Sequence, residues 1–170
     1  VREARGEAPR YVSLRMGRSA ELVRIGPGEL LTVAAATGVG KSSMALTLMT
    51  ELEDRGIVSG LVSVEDGESR WGSKLLGVRG RLDTRAFWHG AASRDEWNTM
   101  PRAVTLAATR ADCIRVARAK SGSVDEVVAL MSRMVRVHKC RVLFVDYLQA
   151  IQSAASKNAT RRDAIDHVLA

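Results

Sequence analysis

The chain has 170 residues, 46% of them hydrophobic but only 4% aromatic, with a formal net charge of +7. That suits one α/β domain with an aliphatic core and a polyanionic partner, nucleic acid before membrane. Two distant cysteines exclude a disulfide framework, and no apolar run approaches the ~20 residues of a membrane span.

Residues 1–20 are polar, basic and aperiodic, and read as a linker or N-terminal arm before a domain over 21–170. They hold no apolar core for a signal peptide, so the expectation is a soluble cytoplasmic protein of a reducing compartment. Ile25 to Glu29 is a Gly-Pro-Gly turn. Leu30 to Ala35 is apolar on both faces, which predicts a buried strand. Ala36-Thr37-Gly38-Val39-Gly40-Lys41-Ser42-Ser43 follows, and then Ala45, Leu48, Met49 and Leu52 mark one face of a helix.

Strand, glycine loop and helix are the setting of a phosphate-binding loop. Gly38 and Gly40 let the backbone turn tightly and approach phosphate oxygens, and the helix N-terminus adds its positive dipole end. Lys41 is placed to reach β and γ phosphates, and the Ser42 hydroxyl to ligate Mg2+. Thr37 through Ser43 are therefore the candidate nucleotide contacts, with ATP and Mg2+ as cofactors. The usual pattern opens with Gly, where this chain has Ala35.

Gly56 is a helix-ending glycine. Ile57 to Val64 reads as a second strand, delivering Glu65 and Asp66 to the sheet edge where ligands of open α/β sheets bind. Ser69 to Leu82 reads as a helix with Trp71, Leu75, Leu76 and Val78 inward. Thr84 to Arg110 reads as two helical pieces broken near Gly90, the second starting at Ser93. Cys113 to Ala117 alternates like a strand, and both cysteines read as small buried hydrophobes. Ser123 and Glu126 have capping-box spacing before a helix with Val127, Leu130, Met131 and Met134 inward. Arg141 to Asp146 is an apolar strand ending in an acid; 152–162 is a small, basic loop, and Asp163 begins another helix. This alternation predicts parallel βαβ units in a doubly wound core.

Asp146 closes its strand where nucleotide-binding folds hold an acid for Mg2+. Glu65 is the candidate carboxylate for polarising an attacking water, with Asp66 as its competitor. His89, His138 and His167 share no metal or triad spacing and read as surface or helix-end residues.

These stretches resemble the RecA-like ATPase domain of the DnaB-type replicative helicases over about residues 22 to 170. Gly28 to Ser42 is similar to that family's Walker A strand and loop, which typically opens with Ala. Ser63-Val64-Glu65-Asp66 resembles its Ser-Leu-Glu-Met segment, and His89-Gly90 through Asp95-Glu96-Trp97 its Thr-Gly…Asp-Glu-Asp-Trp stretch. Val145-Asp146-Tyr147-Leu148-Gln149 resembles its Walker B strand, the most specific match. Two departures stand out: Asp66 replaces Met, and Ala117-Arg118-Ala119-Lys120 is basic where the family often has an acidic pair.

The resemblance implies a RecA-like P-loop NTPase core that hydrolyses ATP with Mg2+, using Glu65 and Lys41 in catalysis and Ser42 and Asp146 at the metal. It implies a hexameric ring that unwinds duplex DNA, with an arginine finger from a neighbouring subunit and a primase or helicase loader as further partner. Single-stranded DNA would meet Lys157, Arg161 and Arg162 in the loop after the Walker B strand. The family's γ-phosphate sensor strand, later DNA loops and collar domain have no match here, so a fragment or a reduced relative is expected. Two other readings remain open at this level: a recombinase- or clock-type RecA-like ATPase, and a module that binds ATP and DNA without turnover.

Overall fold

The computed structural model describes residues 11–15, 22–36 and 38–146. In chain order these hold β1 (Val12–Arg15), β2 (Leu22–Ile25), α1 (Lys41–Asp54), β3 (Ser59–Ser63) and α2 (Glu68–Gly80). Then come α3 (Thr84–Trp88), α4 (Arg94–Thr109), β4 (Ile114–Arg118), α5 (Val124–Arg136) and β5 (Val142–Asp146).

The centre is a three-stranded parallel sheet in the order β4-β3-β5. Ser59 lies opposite Ile114 and Val142, and Ser63 opposite Arg118 and Asp146. Parallel neighbours need long crossovers; α2 to α4 connect β3 to β4, and α5 connects β4 to β5. β3 is central and buried at all five residues, Ser59 and Ser63 included, as a strand covered on both faces must be.

Successive β3 side chains enter different layers. Leu61 packs with Leu46 and Met49 of α1, Trp71 of α2 and Ile114. Val62 packs with Val127 and Met134 of α5 and with Ala119 and Cys140. Each such aliphatic side chain contributes about 1.5–3 kcal/mol on full burial. Burial pushes the Cys140 thiol up from its ordinary range, whereas Cys113 is only half-buried.

Local signals set the helix ends. After α1, Gly56 takes φ +67°; its N–H donates to Glu53 O at 2.9 Å, and that of Ile57 to Leu52 O at 2.9 Å. This pair of bonds is the Schellman ending. Ser93 and Glu96 form a reciprocal capping box at α4, while at α5 Ser123 caps Glu126 N at 3.2 Å. The Glu126 carboxylate turns instead to Ser121 and to the N–H of Lys120. Those bonds, the Ser121 hydroxyl first, hold Glu126 below the usual carboxylate range.

Three expectations are corrected. Leu30 to Ala35 is not a buried strand: it pairs with no strand among the described residues, and Leu30 is 73% exposed. Apolar sequence can suggest a strand, but only a neighbouring edge can satisfy its N–H and C=O groups. Conversely, the stretch read as an aperiodic arm contains β1, which pairs antiparallel with β2. Val12 and Leu14 are buried against Leu48, Leu52 and Ile57, and Arg55 Nη1 donates to Ser13 O at 2.5 Å. Four residues are too few for alternation to stand out from a polar background. Val78, expected inward, lies exposed on α2.

Candidate functional site

The glycine loop enters α1 with Gly38 at φ +83° and Gly40 at φ +106°. Both values lie in the region that side chains disfavour, and no atom lies within 4 Å of where a Cβ would stand. The glycines are therefore required by backbone conformation, and they leave open space beside the backbone in front of the helix.

The N-terminus of α1 is built differently from its neighbours. Gly40 provides no side-chain cap, and the first turn carries no acid. The helices α2, α4 and α5 all place carboxylates in their first turns. The leading N–H groups of a helix have no intrahelical acceptor, and its dipole favours an anion there. α1 supplies no carboxylate of its own to that position.

Lys41 opens α1, and its Nζ donates to Ala35 O at 2.7 Å and Ala36 O at 2.9 Å. The ammonium thus lies across the loop. Ser42 points to the sheet, and its hydroxyl donates to Asp146 Oδ2 at 3.0 Å. This contact joins two residues 104 positions apart and brings the sequence-derived loop and strand-end acid together. A hydroxyl and a carboxylate side by side are hard oxygen ligands of the kind Mg2+ takes. The open glycine backbone, the uncapped helix and this oxygen pair fit a nucleotide phosphate with its metal.

Glu65 and Asp66 follow β3 at the same edge. Val64 N donates to Asp146 O at 2.9 Å, so the turn starts against the strand that carries the acid. The two carboxylates differ in surroundings. Asp66 is paired with Arg70 at 3.3 Å and Lys74 at 2.5 Å, and its N–H donates to the buried Ser63 hydroxyl at 3.1 Å. Glu65 is exposed and its side chain has no partner among the described residues. Sequence reasoning missed Arg70 and Lys74. Their signal was the four-residue spacing of 66, 70 and 74, which lines one helix face.

Val39 and Ser43 are exposed beside the loop, with Val39 at 71%. Thr37, Lys157, Arg161 and Arg162 lie outside the described residues, as do the residues from Tyr147 onward. His89 is exposed at the end of α3, and His138 is half-buried after α5.

Parallel sheet, flanking helices and glycine loop before α1 define a RecA-like P-loop NTPase core. The family model described as DnaB-like helicase C terminal domain matches residues 22–169, and the chain belongs to that family. Two solved structures share the fold, each at TM-score 0.62 over 78% of this chain. One is a DnaB-like replicative helicase studied with its interactions with primase, 21% identical. The other is the ATPase domain of G40P, 23% identical. The match covers 32% of the first of those chains and 47% of the second, so this chain spans less than half of either. Among the described residues, no helix is long and apolar enough to cross a membrane.

Proposed function

We propose that residues 21–170 belong to the ATP-hydrolysing motor domain of a hexameric replicative DNA helicase acting in the cytoplasm. The observation that carries this reading is the Ser42–Asp146 contact beside a Glu65 that has no partner among the described residues. In this reading, the loop N–H groups from Thr37 to Ser43 bind the phosphates, and Lys41 leaves its two carbonyls for the charged β and γ oxygens. A carbonyl is a neutral acceptor, and a charge-assisted bond to phosphate is roughly twice as strong. Ser42 and Asp146 would hold Mg2+, which would supply charge neutralisation at the phosphates. Glu65 accepts a proton from the attacking water and orients it. By family resemblance, a neighbouring subunit supplies an arginine, which makes hydrolysis a property of the ring.

Lys157, Arg161 and Arg162 are the proposed contacts to single-stranded DNA. Phosphate contacts of this kind are indifferent to base sequence and weaken with salt. A primase or a loader is the expected protein partner; the solved helicase studied with primase supports the first.

The test is ATP hydrolysis by the full-length gene product, with and without single-stranded DNA. DNA should stimulate the parent. Glu65→Gln should bind nucleotide normally and lose about 10²–10⁴ of turnover. Turnover at the parental rate would remove Glu65 from the mechanism. Converting Lys157, Arg161 and Arg162 to Ala should flatten the salt dependence of DNA binding by about 0.7 log units per lost contact. An unchanged slope would place the DNA contacts elsewhere.

A further inference from the structure

The turn after β3 carries two adjacent acids and, on the next helix face, two cations. Asp66 is 15% exposed and takes both: Lys74 Nζ on Oδ2 at 2.5 Å and Arg70 Nη1 on Oδ1 at 3.3 Å. Lys74 is also held from its other side, with Nζ 4.7 Å from the ring centre of the fully buried Trp71. The Asp66 N–H is tied to Ser63, which is itself fully buried in β3. Asp66 therefore links the end of the central strand to the first two turns of α2. Glu65, one residue earlier, has no counter-charge among the described residues.

We propose that Asp66 is a positioning residue, which fixes the turn bearing Glu65 and keeps Lys74 and Arg70 engaged so that Glu65 remains an unpaired carboxylate. The inference rests on the role of Glu65 proposed above. A cation that pairs with a carboxylate stabilises its charged form and makes it a weaker base. If Asp66 lost its charge, Lys74 and Arg70 would have Glu65 as an acid in the same turn.

The test is steady-state hydrolysis by the assembled full-length protein, with nucleotide affinity measured separately by a fluorescent ADP analogue. Asp66→Asn should lower kcat about tenfold while nucleotide affinity stays within about twofold. Adding Lys74→Gln and Arg70→Gln removes both released cations and should bring kcat back to within about threefold of the parent, a coupling that a purely structural loss would not show. If Asp66→Asn fails to bind nucleotide, Asp66→Ser, also suited to a turn, takes its place in the same cycle. Parental kcat in the Asp66 variant, or a loss that Lys74→Gln with Arg70→Gln does not reverse, overturns the proposal. Glu65→Gln in the same assay separates the two ideas. If it turns over at the parental rate, the role of Glu65 fails. If it is inactive while the Asp66 variant has parental kcat, only the positioning role fails.

Discussion

The glycine loop and the β3–α2 unit reach one edge of the sheet with opposite construction. Residues 28–36 and 38–40 are all exposed, and Lys41 grips only carbonyls of its own loop. β3 is buried throughout, Trp71 is fully enclosed, and α2 is anchored at both ends. At one end is Asp66 with Lys74. At the other, Arg79 holds Glu53 of α1 through two bonds and reaches Ala107 O of α4 at 3.4 Å. The contrast follows from the two tasks. An anion is bound by backbone N–H groups that protein acceptors have not already taken. A base has to be held at a set place before its substrate arrives. One region leaves its backbone open to an anion, and the other is fixed by buried apolar contacts and ion pairs.

The contrast breaks most strongly at Arg79. Its side chain is 6% exposed and that of Glu53 1%, so Arg79→Met strands a buried carboxylate. The expected loss is about 3–5 kcal/mol of stability by urea unfolding, with most of it recovered in Arg79→Met/Glu53→Gln. Lys41→Ala should do the reverse. Turnover should fall about 10²–10³, as for loss of one transition-state charge stabiliser, while the urea midpoint stays put. A large stability loss there would mean that the loop is structural after all.

Two glycines sharpen the same division. A Cβ at Gly60 would meet Met134 Sδ at 2.6 Å and Leu143 Cδ2 at 2.9 Å. Gly60→Ala should therefore cost about 1–3 kcal/mol of stability through overpacking of the core. At Gly40 a Cβ has space but the wrong φ. Gly40→Ala should carry a backbone penalty of about 1–2 kcal/mol and be read mainly as weaker nucleotide binding in a titration. Equal effects of the two substitutions on unfolding would erase the distinction.

The smallest expected effect lies at Glu126, in the first turn of α5. Its carboxyl is held below its ordinary range, chiefly by the Ser121 hydroxyl. A carboxyl whose folded pKa is depressed stabilises above its unfolded value and loses that contribution as pH falls through the folded one. The Tm gap between the parent and Glu126→Gln should be widest near neutral pH and close below about pH 4. A gap that stays constant with pH would mean that the hydrogen bonds form equally well to the uncharged group.

By itself the sequence determined what depends on near neighbours. Glycines in positive-φ positions, Ser93 at a helix start and Gly56 at a helix end act within a few residues, so their structural meaning is local. The placement of Glu65 and Asp66 just past the end of β3 is likewise local, since it follows from where the strand stops. Only the tertiary structure decided pairing. Leu30 to Ala35 has strand-like composition and no strand partner among the described residues, while the weak pattern at Val12 to Arg15 finds one in β2. The same holds at the site. Glu65 and Asp66 are chemically near-equivalent in the sequence, and what separates them is that α2 brings Lys74 and Arg70 to one of them and not to the other. A strand needs a neighbouring edge and a free carboxylate needs the absence of a cation, and both conditions are set by what the fold brings within a few ångströms.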